Sequence, residues 1–178
     1  MNIVLLIGLG AGFTSCEMVR GWFEVEFDTT LNGDLDIDVQ ESVKKSTNSH
    51  GFQASTTLSL LDDEEIAEYE ANITEIEVTG IVAEVTYLST SSVVFSGKTS
   101  FSVSDGSSSV NWTLGNDWTL FEGAEISLED IGGTYDLVKE ILDKHGVFQV
   151  STVGECSEAG VSIIIRIGID VIIKASPL

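Results

Sequence analysis

Residues 161–173 constrain the fold more than any other part of the chain. Val161, Ile163, Ile165, Ile167, Ile169, Val171 and Ile173 all occupy odd positions, while Arg166, Asp170 and Lys174 point the other way. A period of two puts successive side chains on opposite faces of a strand, so this run reads as a half-buried strand. At roughly 3.3 Å per residue it extends some 43 Å, long for a small sandwich, which predicts a bend near Gly168.

The same alternation recurs from the start of the globular part. Phe23, Val25 and Phe27 face one way against Glu24, Glu26 and Asp28, and Leu35, Ile37 and Val39 repeat this against Asp34, Asp36 and Asp38. Asn32-Gly33 between them is a hairpin cue. A three-residue loop over 31–33 keeps the apolar positions together, pairing Phe27 with Ile37 and Val25 with Val39. A one-residue slip would turn a whole apolar face to water. At Asp105-Gly106 a two-residue turn pairs Phe101 with Val110 and Thr99 with Trp112, and Trp118, Leu120, Ala124 and Ile126 extend the meander. In residues 75–87 the phase flips at Gly80, from Ile76 and Val78 to Ile81, Ala83, Val85 and Tyr87, which predicts a bulge there.

Two segments break the strand rhythm. Asp62-Asp63-Glu64-Glu65 opens a short helix whose acidic first turn suits the helix dipole, with Ile66, Tyr69 and Ile73 inward. Residues 134–145 form a second helix, capped by Thr134, ended by Gly146, with Leu137, Val138, Ile141 and Leu142 inward. Residues 44–51 read as an exposed loop. Strands in hairpins with two short helical connections predict an all-β fold, an antiparallel β-sandwich spanning residues 16–178 as one domain.

Composition narrows the partners. Among 178 residues, 29 Asp and Glu face eight Lys and Arg, a formal charge of −21. Nucleic acids and anionic lipid surfaces recruit basic residues, so neither is expected as a partner. Two Cys and two His are too few for a zinc ribbon or a disulfide-dense scaffold. Residues 3–13, IVLLIGLGAGF, are uncharged, too short to span a bilayer, and match the apolar region of a secretory signal peptide. Phe13-Thr14-Ser15-Cys16 resembles a bacterial lipobox, which implies removal of residues 1–15 and acylation of Cys16. No Lys or Arg precedes Cys16, and the run also reads as a buried first strand. Its Gly8-Leu9-Gly10-Ala11-Gly12 stretch lacks the final small residue of a dinucleotide loop, where Phe13 stands.

The stretches FEVEFDTT (23–30) and DDEEIAEYEANITEIEV (62–78), with the long alternating strand closing on ASPL (161–178), resemble the small lipoproteins of the Bacteroidota, mostly of unknown function. That resemblance implies a lipid-anchored β-sandwich on a bacterial envelope, on the outer membrane or surface. The expected role is non-enzymatic, as a binding or structural module with an envelope protein or glycan as partner. The alternative is a calcium-dependent carbohydrate-binding or adhesion domain.

No catalytic residue stands out, and no cofactor is expected apart from calcium. In the hairpin register Asp28 lies across from Asp36 and Glu26 across from Asp38. Like charges directly opposite destabilise a sheet, and calcium, which takes six to eight oxygens, would offset this with Glu26, Asp28, Asp36 and Asp38 as ligands. A solvated acidic face is the plainer reading. Trp112 and Trp118 flank the Gly115 turn as either core or a sugar-stacking platform, and their phase favours core. Ser96-Gly97-Lys98-Thr99 echoes a phosphate loop without its first glycine and on a strand, so it is rejected. His50 and His145 have no sequence neighbours suggesting a base or ligand. Cys156 reads as an inert loop cysteine whose acidic neighbours raise its pKa.

Overall fold

The computed structural model describes residues 24–40 and 49–176. Strands β1 (Val25–Val39), β2 (His50–Ser59), β3 (Ile73–Leu88), β4 (Val93–Phe95) and β5 (Ser100–Ser104) come first. They are followed by β6 (Ser109–Thr113), β7 (Trp118–Leu120), β8 (Glu125–Ser127), β9 (Val147–Cys156) and β10 (Val161–Ala175). Helix α1 (Glu64–Glu68) lies between β2 and β3, and α2 (Thr134–His145) between β8 and β9. One antiparallel sheet has the order β1-β10-β3-β8. The other has the order β6-β5-β9-β4-β7, with β2 paired to β9. The two sheets pack into an all-β sandwich around one continuous core.

β10 is the centre of that core. Its odd residues from Val161 to Ala175 are all buried, Ile165, Ile167 and Ile169 completely. The opposite sheet contributes Phe95, Phe101 and Phe148, each buried. Phe52 stacks on Phe95 at 4.3 Å between ring centroids, and Trp118 meets Phe101 edge-on at 6.4 Å.

The hairpin expected at Asn32-Gly33 does not form. β1 runs unbroken and pairs with β10 along its whole length, from Val25 opposite Ala175 to Val39 opposite Val161. An odd-length loop and a continuous strand leave the same residues on the inner face, so the apolar pattern alone does not separate them. Gly33 serves another purpose. A Cβ there would lie 2.6 Å from Leu58 Cδ2 and 2.9 Å from Thr56 Cγ2, so glycine lets β1 pass close under β2. The bend expected near Gly168 has no counterpart in the ladder, because every irregularity falls on the β3 side of β10.

β3 is bulged three times, and each bulge is a threonine. Against β10 the register skips Thr74, Thr79 and Thr86. Each hydroxyl donates to the β10 carbonyl beside the break: Thr74 to Lys174 (3.2 Å), Thr79 to Asp170 (3.3 Å) and Thr86 to Ile164 (3.4 Å). Every extra residue reverses the phase. The buried positions therefore run Ile76 and Val78, then Ile81, Ala83 and Val85, then Leu88. The expected flip beside Gly80 is the second of these. The third turns Tyr87 out to 47% exposure, against the expectation that it faces inward.

The other connections show smaller departures. β5 and β6 pair Phe101 with Trp112 and Val103 with Val110, two residues away from the expected register. The loop is four residues long because Asp105 Oδ1 accepts from the backbone N–H of Ser107 (2.7 Å) and Ser108 (2.6 Å). A two-residue slip preserves every face, so the pattern could not detect it. The meander also breaks up: β7 pairs with β4, while β8 joins β3 in the other sheet. β2 has no counterpart in the sequence reading, because its inward Phe52, Ala54 and Leu58 are interspersed with Ser and Thr. His50 and Gly51 belong to β2, not to the expected loop, and residues 44–48 of that loop lie outside the described residues.

Both helices form where expected. In α1 Ile66 is buried, and just past its end half-buried Tyr69 meets Phe27 in a tilted contact, 5.2 Å between ring centroids. Ile73 opens β3 and does not belong to the helix. In α2 Val138, Ile141 and Leu142 are buried but Leu137 is 47% exposed. Its left-handed C-cap is Gly146, as expected, whereas the N-cap is Gly133 and not Thr134.

Candidate functional site

The four proposed calcium ligands are not brought together. Glu26, Asp28, Asp36 and Asp38 lie on the outer face of one strand. Asp28 and Asp36 are separated by eight residues, roughly 26 Å at 3.3 Å each. Their cross-strand neighbours are Lys174 for Glu26, Ile172 for Asp28, Ile164 for Asp36 and Ser162 for Asp38. The like-charge pairing that motivated a cation is therefore absent. Among the described residues no group of three or more His, Cys, Asp or Glu is gathered as a metal site.

β10 instead supplies cations in register. Arg166 lies opposite Asp34 and donates from Nε (3.0 Å) and Nη2 (3.3 Å) to its two carboxylate oxygens. Lys174 lies opposite Glu26 and reaches Glu75 on β3 at 2.8 Å. The hydrogen bond and charge of Lys174 lower the Glu75 pKa, and Glu75 raises that of Lys174 in return. Asp38 accepts from Ser162 Oγ at 2.8 Å, and Asp170 from Thr30 Oγ1 at 2.6 Å.

The aromatic platform is also absent. Trp112 and Trp118 are 5% and 8% exposed, and Trp112 Nε1 donates to the Glu129 carbonyl at 3.0 Å. Cys156 ends β9 fully buried, directly opposite His50 of β2. Burial, more than its acidic neighbours, pushes the thiol pKa up, so the protonated, unreactive form is favoured. Ser96-Gly97-Lys98-Thr99 is the turn joining β4 to β5, closed by Thr99 N–H donating to the Ser96 carbonyl at 2.9 Å and tied to the β6–β7 connection by Gly97 N–H donating to Asp117 Oδ1 at 2.8 Å. It is neither strand nor phosphate loop. Cys16 and the apolar run before it lie outside the described residues.

The two outward faces of the sandwich differ in chemistry, and the sequence reading missed one of them. The face of β1, β10 and β3 carries the carboxylates and cations just described. The face of β6, β5, β9 and β2 carries a grid of uncharged, mostly small side chains. Its central row is Asn111–Ser102–Ser151–Ser55, flanked by Ser109–Ser104–Gln149–Thr57 and Thr113–Ser100–Val153–Gln53. All twelve are exposed or half-buried, and none is charged. Ser102 and Ser151 join hydroxyl to hydroxyl at 2.7 Å. Beyond the last row Gly51 opposes Glu155, and the missing side chain leaves an open depression of about 610 Å³ bounded by Gln53, Val153, Lys98 and Glu155. The signal was in the sequence, as small polar residues alternating with the apolar ones of β5 and β6.

No family model matches the chain, and no curated protein matches it. A solved structure from Desmodium yellow mottle tymovirus matches at a TM-score of 0.30 and 8% identity, covering 100% of this chain and 98% of the other. At that level the likeness carries no argument.

Proposed function

We propose that the chain is a bacterial cell-envelope lipoprotein: residues 1–15 direct export, Cys16 carries the lipid, and the β-sandwich is a non-enzymatic binding or structural module. The observation that carries this reading is the spacing of Cys16 from the fold. An apolar run and small residues lead to Cys16, which precedes the first strand, β1, at Val25 by nine positions, so an acylated cysteine would come ahead of the sandwich in sequence. One acyl chain anchors marginally, at about 0.8 kcal/mol per buried CH₂, whereas two or more hold stably. The charge of −21 supports a role away from nucleic acids and away from insertion among anionic headgroups.

The test is cell fractionation with intact mass analysis. The wild-type chain should partition with membranes and lack residues 1–15, with its mass raised by acyl groups on Cys16. Cys16→Ala should move the chain to the soluble fraction. An unprocessed chain retaining Met1, or a Cys16→Ala variant that fractionates like wild type, would refute the anchor.

A further inference from the structure

We infer that the outer face of β6, β5, β9 and β2 is a docking surface for a neutral polysaccharide chain. The inference rests on reading the sandwich as a binding module and is independent of the anchor at Cys16.

Charge is the first argument. In a chain with 29 acidic residues, the twelve positions of this grid hold none, and no basic residue either. A polycation would be drawn to the carboxylates of the opposite sheet, and a polyanion would be repelled by the molecule as a whole. A neutral ligand is the class that these twelve positions meet without electrostatic cost, with Lys98 and Glu155 only at one edge.

The side chains supply the second argument. Hydroxyls and amides both donate and accept, so they match the hydroxyls of a sugar polymer in either orientation. Covering neutral hydroxyls costs far less than covering carboxylates, provided hydrogen bonds replace water. Ser, Thr and Asn also lose less rotamer freedom than Lys or Glu would. Strand pairing holds them in a regular lattice of about 4.8 Å across strands and 6.7 Å along them. At one end the Gly51 depression adds an apolar contact, Val153, which is 49% exposed.

Area separates this ligand from a second copy of the chain. Four strands by three rows cover roughly 390 Å². A stable protein interface takes about 800 Å² per partner. A short length of polysaccharide fits the smaller figure.

The test is depletion of the full chain from solution by beads of dextran, amylose and β-glucan, with alginate beads as the polyanion. Retention on at least one neutral polymer is expected, unchanged up to ~1 M NaCl because no ion pair is involved. Asn111→Glu and Gln53→Glu, at exposed positions on opposite edges of the grid, should each weaken retention by at least roughly tenfold. Their far-UV circular dichroism should match wild type. Asp28→Asn and Asp36→Asn, on the other sheet, should leave retention unchanged. Absence of retention on all three neutral polymers, retention on alginate alone, or full retention by both Glu variants would overturn the inference. So would sedimentation showing that the grid variants abolish a dimer instead. Failed retention by a chain still acylated at Cys16 removes only this inference; retention by an unacylated chain removes only the anchor.

Discussion

Lys174 illustrates how single residues hold the acidic sheet together. It faces Glu26 across the ladder, bonds Glu75 at 2.8 Å, and feels the charge of Glu24. Lys174→Met should lower the melting temperature at low ionic strength, and the loss should shrink as NaCl is added, because these groups are solvent-exposed and screened. An equal loss at every salt concentration would mean that packing is responsible. The pH dependence has two limits. The lowered pKa of Glu75 contributes stability above its unfolded value, and that contribution disappears as pH falls through the folded value. The raised pKa of Lys174 contributes below its unfolded value, and that is lost as pH rises through the folded one. Lys174→Met should therefore flatten both ends of the melting-temperature profile. Cys156 makes a separate prediction. Being fully buried, it should react with a thiol reagent only as fast as the chain unfolds, so adding denaturant should accelerate labelling steeply.

At the level of elements, β3 and β10 carry most of the argument. Ile167 of β10 is completely buried at the centre of its sheet, and Ile167→Ala should cost about 2–5 kcal/mol in denaturant melts. A loss below ~1 kcal/mol would place Ile167 outside the core. The alternation of β10 was legible because a fully apolar odd face has one reading. β3 was only partly legible. Its second phase flip was visible at Gly80, but the third, after Thr86, could be recognised only through the hydroxyl bond from Thr86 to the Ile164 carbonyl. Pairing was the least legible level. Gly33 carries the same cue whether it makes a turn or a close approach, and β1 keeps the same parity either way. The four-residue loop at Asp105 depends on two side-chain hydrogen bonds that no periodicity encodes. The calcium proposal failed for this reason: correct faces were combined with a wrong partner strand.

For the whole molecule, the consequence is a sandwich with one charged outer face and, on the other, an uncharged grid edged by Lys98 and Glu155. With β1 continuous, the carboxylates of Glu26, Asp28, Asp36 and Asp38 are spread along an edge strand opposite neutral or cationic residues. Repeated charge along an exposed edge also discourages pairing with another chain. Millimolar calcium should accordingly raise the melting temperature no more than magnesium at equal ionic strength, and a calcium-specific rise would restore a chelating site. The register of β1 underlies all of this, and a pair of engineered cysteines measures it directly. Residues 36 and 164 are direct cross-strand partners, whose Cα atoms in an antiparallel ladder lie about 4.5–5.5 Å apart, within reach of a disulfide. On oxidation, with the bond located by peptide mapping, Asp36→Cys with Ile164→Cys should cross-link, whereas Asp36→Cys with Asp28→Cys should not. The reverse outcome would restore the hairpin and contradict the fold described here.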